Sequence, residues 1–273
     1  MNALVLGAKG QLGLELVRVL GDRSAVPHDR LSITDAEAVD AFIASSKPDA
    51  VFNCAAYNAV DRAETEREIA YAVNAEGPFN VAAACRRHGA TLVHFSTNFV
   101  FDGSHDEPYV EADEPAPLSV YAESKLEGER RALQSGARLL IVRTAGVFGR
   151  GVNFPARILE RARSGQPLRV VSDQRINPTY ARDLAAAALD LVEQGAAGIV
   201  HAVAEGCTGF DDFARAVLAE SGVAAEVESV PTSALPSPAR RPLNGCLAST
   251  RYPPLRPWWE ALHEWAAEAS RTP

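Results

Sequence analysis

Lysine is scarce in this chain. Of the 27 basic residues among 273, only Lys9, Lys47 and Lys125 are lysine, and 35 acidic residues bring the net charge to −8. Such a chain has no global attraction to nucleic acid or to an anionic membrane surface, so neither is expected as a partner. Cysteine is sparse as well: Cys54, Cys85, Cys207 and Cys246 lie far apart and form no CxxC pair. No disulfide framework is expected from them, and Cys54 and Cys85, set in apolar runs, are expected to pack as free thiols. The six histidines form neither HxxxH nor HExxH, so no metal is expected. A run of 18 apolar residues is lacking, and so is a basic leader followed by a hydrophobic stretch and a cleavage site. The expected location is therefore cytoplasmic.

What is present is an alternation of short apolar runs with longer helical stretches, in a chain that is 47% hydrophobic and 23% charged. Ala3-Leu4-Val5-Leu6 predicts a buried strand, and residues 11–20 carry Leu12, Leu16, Val19 and Leu20 at helical spacing. Strands are expected again at 24–28, 50–53, 91–95 and 139–142, with helices at 35–46 and 69–88 between them. That order implies right-handed βαβ crossovers and a parallel sheet covered on both faces. A proline- and acid-rich loop fills 102–119. Beyond Gly149 the reading places a helix at 154–164, a strand at 168–171, a helix at 182–193 and a proline-punctuated segment at 230–242. Trp258, Trp259 and Trp265 fall on a last helix, where core packing is expected of them.

Two motifs carry chemistry. Gly7-Ala8-Lys9-Gly10-Gln11-Leu12-Gly13 follows the first strand and opens a helix. Glycines there let the backbone turn sharply and approach a pyrophosphate, whose charge rests on unpaired N–H groups at the helix start. The second motif is Tyr121-Ala122-Glu123-Ser124-Lys125. On a helix its first and last residues share a face, and a cation beside a phenol favours phenolate and so promotes proton transfer. With six tyrosines and three lysines, about 0.07 such pairs are expected by chance.

Together these motifs resemble the extended short-chain dehydrogenases/reductases, and further stretches narrow the likeness to the dTDP-4-dehydrorhamnose reductase family. Asn53 through Glu64 (NCAAYNAVDRAE) is similar to that family's NAAAYTAVDKAE, and Ser96 through Gly103 (STNFVFDG) to its STDYVFDG. Val120-Tyr121 through Lys125-Leu126-Glu127-Gly128-Glu129 resembles VYGxSKLxGE, and Pro-Ala-Arg-Arg-Pro at 238–242 is specific to this branch. The resemblance implies an α/β fold, a Rossmann-type doubly wound parallel sheet with a smaller C-terminal lobe. Residues 1–150 would form the dinucleotide-binding domain, and 151–273 mainly the substrate-binding lobe, with some segments returning to the core.

It also implies roles. Thr97 would hydrogen-bond a substrate carbonyl, Tyr121 would protonate it, and Lys125 would hold the nicotinamide ribose and lower the phenol pKa. The cofactor would meet Gly7, Gly10, Gln11, Leu12, Gly13, Asp29, Arg30, Ser32, Ile33, Ala55, Ala56, Tyr57, Asn58, Phe95, Tyr121 and Lys125. The substrate, a nucleotide sugar, would meet Thr97, Asn98, Phe99, Gly146, Asn153 and Phe154. Three departures stand at the substrate: Asn98 and Phe99 replace the family's Asp-Tyr, and Gly146 replaces a tryptophan of its TSWVYG tract. They suggest a less acidic, roomier sugar pocket.

Asp29 and Arg30 together offer an acid for a ribose 2′-OH and a cation for a 2′-phosphate. NADPH is the expected cofactor, with NADH as the alternative. The expected reaction is reduction of dTDP-4-dehydrorhamnose to dTDP-L-rhamnose. Its rivals are reduction of another dTDP-deoxysugar and a non-catalytic, dinucleotide-binding regulatory role. Glu15 matches a carboxylate that some relatives use for magnesium at a dimer contact, but its partners are not legible, and a homodimer is left open.

Overall fold

The computed structural model describes residues 1–269. Its first half runs β1 (Ala3–Leu6), α1 (Gln11–Leu20), β2 (Ala25–Val26), α2 (Ala36–Ser46), β3 (Ala50–Asn53), α3 (Val60–Ala63), α4 (Arg67–Tyr71), α5 (Gly77–His88), β4 (Thr91–Thr97), α6 (Val120–Gln134) and β5 (Arg138–Thr144). The second half runs α7 (Phe154–Arg163), β6 (Leu168–Val171), β7 (Arg175–Ile176), α8 (Ala181–Glu193), β8 (Gly198–His201), β9 (Ala204–Glu205), β10 (Thr208–Gly209), α9 (Phe210–Glu220), β11 (Val227–Val230), β12 (Leu255–Pro257) and α10 (Trp258–Ala269).

Six strands form one parallel sheet in the order β2-β1-β3-β4-β5-β8. Alternation along β1 explains its two faces. Ala3 and Val5 point into a core shared with Leu16, Phe52, Val93, Leu140 and Leu184, under α1 and α8. Leu4 and Leu6 point the other way, into a core with Val39, Ile43, Val51, Val81, Leu92 and Ile141. Because β2 lies on one side of β1 and β3 on the other, the chain reverses its winding there. Open α/β sheets bind ligands in the crevice at the strand C-termini beside such a reversal.

Caps fix where several helices begin. Asp35 accepts from Ala38 N at 3.0 Å to start α2, and Ser119 accepts from Ala122 N at 3.3 Å to start α6. Each such cap contributes about 1 kcal/mol. The stretch expected as one helix at 69–88 is instead α4 and α5 joined by a π-helical turn over Ala72–Glu76. The turn has a use: Asn74, within it, donates to the Tyr57 carbonyl at 3.1 Å and accepts from Tyr57 N at 2.8 Å.

Beyond Arg150 the chain serves two places. Strand β8 pairs with β5, and α8 packs on α1, so both belong to the sheet. Helices α7, α9 and α10 gather around Phe148, Tyr180, Phe213 and Trp265, beside the parallel pair β6–β11. Of the three tryptophans, Trp265 is buried and donates to the Gly149 carbonyl at 2.9 Å, and Trp258 packs on that core. Trp259, expected in the core, is 49% exposed because it stands on the outer side of α10.

One expectation from the cysteine pattern is corrected. Cys207 and Cys246 form a disulfide, with Cα atoms 5.9 Å apart. Sequence spacing concealed it, since 39 residues separate them and the fold alone joins their segments. Asn177 shows how: it donates to Ala204 O at 3.2 Å and Gly206 O at 3.0 Å, and accepts from Leu247 N at 2.8 Å. Cys54 and Cys85 are free thiols. No helix among the described residues is long and apolar enough to cross a membrane.

Candidate active site

A cleft of about 500 Å³ opens where β1, β3, β4 and β5 end. Its first wall is the glycine turn. Gly7 adopts φ +73° and lies so near β3 that a Cβ there would sit 2.6 Å from Ala55 N. A Cβ on Gly13 would collide with the Gly7 carbonyl, so this glycine lets α1 pack against the turn. Gly10 differs from both. A Cβ there would meet nothing in the chain closer than the Gly7 carbonyl at 3.4 Å, and its open side faces the cleft. Gly10 caps α1 without a side-chain bond, leaving N–H groups of the first turn for an anion.

The second wall carries the reactive side chains. Thr97 ends β4, and Tyr121 and Lys125 lie on the inner face of α6. All three line the cleft. The Thr97 hydroxyl accepts from Phe99 N at 3.1 Å and donates to Asn98 Oδ1 at a long 3.3 Å. Tyr121 is 8% exposed, and burial pushes its phenol up to about 12, with Thr97 pulling the other way. The phenol is therefore an acid that keeps its proton at neutral pH. Lys125, 2% exposed, donates to the Phe95 carbonyl at 2.7 Å, and burial lowers it to about 8. Contrary to the expected lowering of the phenol by Lys125, burial is the dominant influence on Tyr121 here.

Most residues named from sequence converge on this cleft. Gly10, Gln11, Leu12, Gly13, Ala56, Asn58, Phe95, Thr97, Asn98, Phe99, Tyr121, Lys125, Gly146 and Phe154 line it. Others stand back. Tyr57 turns away and donates its hydroxyl to Glu66. Ile33 is a core side chain packed over Gly77, and Ala55 backs the glycine turn. Asp29 pairs with Lys9 at 3.2 Å on the exposed rim, and that bond holds its carboxyl below the usual range. Arg30 stacks over Phe42 at 5.0 Å, and Ser32 bonds Thr34. Asn153 spends its amide on the cap of α7 and on Gly149 O and Gly151 O, so it acts on the cleft through Phe154, which it positions.

The three departures do not leave open space in the structure. Gly146 adopts φ +54°, and a Cβ on it would lie 2.8 Å from both Asn177 O and Ile176 Cδ1. The space beside Gly146 is thus filled by Ile176 and Asn177, and Ile176 lines the cleft. Asn98 is buried and donates to Gly245 O at 2.9 Å, which ties β4 to the segment carrying Cys246. Phe99 meets Tyr121 edge to face, with ring centres 5.7 Å apart.

Sequence reasoning missed Ser96, Thr144, Ile176, Leu184 and Phe210, which also line the cleft. Ser96 and Thr144 could have been found as hydroxyls at strand ends. Phe210 and Ile176 gave no signal, since they arrive from the second half of the chain. The buried atoms Gln11 Oε1, Ser96 Oγ and Thr144 Oγ1 have no protein partner, and all three residues face the cleft. Polar atoms of that kind need a hydrogen-bonding ligand or water, so the lining suits a large polar cofactor. Glu15 is buried, bound by Arg18 at 2.9 Å and flanked by Arg150 and Arg182 at 3.5 Å. These three guanidiniums meet its charge, and among the described residues no group of three acids, histidines or cysteines is placed to hold a metal ion. A hollow of about 560 Å³ beside Tyr180 and Trp265 contains none of the reactive residues.

The chain is similar to known proteins over nearly its whole length. Residues 1–271 match the family described as RmlD substrate binding domain. The chain is 41% identical over 276 residues to a dTDP-4-dehydrorhamnose reductase of Mycobacterium tuberculosis, covering 95% of this chain and 90% of the relative. It is similar to the crystal structure of a dTDP-4-dehydrorhamnose reductase from Clostridium acetobutylicum, with TM-score 0.95, 36% identity and 99% and 100% of the two chains covered. It is also similar to that of Bacillus anthracis in complex with NADP, with TM-score 0.93, 31% identity and 97% and 98% covered.

Proposed function

The chain belongs to the RmlD substrate binding domain family, and from that premise we propose that it is an NADPH-dependent 4-ketoreductase. Its substrate is a nucleotide-linked 6-deoxy-4-ketohexose, dTDP-4-dehydrorhamnose, which it reduces to dTDP-L-rhamnose. The observation that carries the reading is the convergence of Thr97, Tyr121 and Lys125 on one cleft whose other wall is the glycine turn.

The cofactor, when bound, supplies the hydride. Gly10 through Gly13 and the N-terminus of α1 would hold its pyrophosphate, and Lys125 the nicotinamide ribose. Gln11, Ser96 and Thr144 would meet its remaining polar groups. At the end of β2, Asp29 is already neutralised by Lys9, which leaves Arg30 as surplus positive charge and favours a 2′-phosphate.

The chain then supplies position and a proton. Thr97 turns its hydroxyl proton toward the sugar carbonyl. Tyr121 gives its phenol proton to the carbonyl oxygen as the alcohol forms. The phenolate left behind is stabilised by the Lys125 ammonium until water reprotonates it. A buried phenol raised to about 12 suits this direction, because reduction needs the acid form and oxidation would need the base. Phe99, Phe154, Phe210 and Ile176 give the sugar side of the cleft an apolar surface, compatible with a deoxy carbon. A cytoplasmic location is part of the same reading, and light scattering on the purified protein decides between monomer and homodimer.

The test is direct. NADPH and a panel of dTDP-4-keto sugars are mixed with the protein, and absorbance of the reduced nicotinamide is followed. Oxidation greatest with dTDP-4-dehydrorhamnose supports the reading. A preference for another member moves the substrate, and no oxidation with any member leaves a non-catalytic dinucleotide-binding role. Tyr121→Phe is expected to lose at least ~100-fold in turnover while keeping NADPH binding.

A further inference from the structure

Tyr121, Lys125 and Glu129 recur every four residues along α6, so they share one helix face. Glu129 lies deeper than the other two, 1% exposed, and it is held from the next strand. Arg143 of β5 grips it with two prongs: Nε donates to Oε1 at 3.0 Å and Oε2 at 3.2 Å, and Nη2 donates to Oε2 at 2.6 Å. Arg143 is itself 2% exposed, with its guanidinium 5.3 Å from the Phe101 ring centre. A buried ion pair is weak evidence for stability, since packed apolar side chains of similar size often serve as well or better. Their retention asks for another use.

The arrangement supplies one. Both Glu129 oxygens accept from Arg143, so the carboxylate acts on Lys125 through its field and does not compete for the ammonium's hydrogen bonds. Lys125 remains free to donate to Phe95 O and into the cleft. The other ionisable groups facing Lys125 are neutral: Tyr121 on α6, and Cys54 after β3 and His94 on β4, both kept uncharged by burial. Glu129 is thus the anion opposed to Lys125, and its attraction works against the burial that would strip the ammonium of its proton.

We propose that Glu129 is a positioning residue for the reduction: clamped by Arg143, it is the fixed counter-charge that keeps Lys125 an ammonium seated on the Phe95 carbonyl. The role in turnover rests on the ketoreductase reading, whereas the electrostatic coupling does not, and the experiment separates them. With only three lysines in the chain, ¹⁵N-labelled lysine gives an NMR titration in which Lys125 is assigned by its loss in Lys125→Met. In the unmodified protein Lys125 should stay protonated at pH 7 and titrate near 8. Glu129→Gln strands a buried guanidinium, so the pair is also removed together as Glu129→Gln/Arg143→Met. The Lys125 titration should fall by about one pH unit in folded Glu129→Gln, and by less in the double variant, where a cation leaves with the anion. The alkaline limb of kcat/KM, measured at saturating NADPH, should move with it, while Glu129→Asp restores both in part. A Lys125 that is already neutral at pH 7 in the unmodified protein overturns the proposal. So does a titration unmoved in the folded double variant, whether or not any keto sugar is turned over.

Discussion

The Lys125 ammonium rests on the Phe95 carbonyl at 2.7 Å, so the C-terminal end of β4 holds the helix residue that serves the phenol. The seat is buried and sized for a compact charge. Arginine, which this chain uses at 24 of its 27 basic positions, brings a planar fork that needs several acceptors. Lys125→Arg is therefore expected to behave like Lys125→Met, each losing on the order of 100-fold in kcat with the fold retained. Circular dichroism and NADPH oxidation measured together check this, and arginine supporting near-normal turnover would show that only positive charge matters.

Acid–base behaviour should follow the lysine and not the tyrosine. Burial lowers Lys125 to about 8, so the cation is present below that pH and lost above it. Burial raises Tyr121 to about 12, so the phenol keeps its proton throughout the working range. The expected profile of kcat/KM is level from pH 6 to 7 and falls about tenfold per unit well above 8. A profile still level at pH 10 would exclude Lys125 as the controlling group.

The glycines of the turn should separate by substitution. Gly13→Ala drives a methyl into the Gly7 carbonyl and into Ala8, and is expected to cost about 1–3 kcal/mol of stability. Gly10→Ala meets no chain atom closer than 3.4 Å, so its melting temperature should barely change. Its methyl instead enters the space reserved for the pyrophosphate, and NADPH affinity should fall at least ~10-fold. Thermal melts beside a fluorescence titration decide the matter. Unimpaired NADPH binding by Gly10→Ala would mean that the cofactor does not approach there.

How legible the site was depended on how local its signals are. The glycine turn follows a strand and opens a helix, and Tyr121 and Lys125 are four apart on one helix; both are readable within about seven residues. Strands β1, β3, β4 and β5 announce themselves as apolar runs for the same reason, whereas β2, only Ala25–Val26, is a weak signal. Strand β8, Gly-Ile-Val-His, is too short and mixed to stand out, although it completes the sheet beside β5. Ile176 filling the space at Gly146 and Arg143 reaching Glu129 are long-range packing facts with no local pattern. Gly146 shows the cost of reading by likeness alone. The absent tryptophan suggested open space, yet φ +54° and the approach of β7 close it.

The Cys207–Cys246 disulfide should act on sugar binding and leave the cofactor alone. Cys207 sits just ahead of β10, and Phe210, three residues on, lines the cleft. Cys246 follows Gly245, whose carbonyl receives Asn98 Nδ2 at 2.9 Å, one residue from Thr97. The bond therefore ties together two segments that shape the substrate end of the cleft. Closing a loop of this length contributes about 2–4 kcal/mol, largely by restricting the unfolded chain. On reduction with dithiothreitol the melting temperature should fall by several degrees, and the KM for the nucleotide sugar should rise several-fold. The NADPH dissociation constant should stay unchanged, because the pyrophosphate would rest on the glycine turn and the start of α1, which neither cysteine's segment builds. Cys207→Ser/Cys246→Ser should reproduce the reduced protein and lose its response to the reductant. Identical KM and melting temperature in the oxidised and reduced protein would show that Asn98 and Asn177 hold these segments without the sulfur bridge.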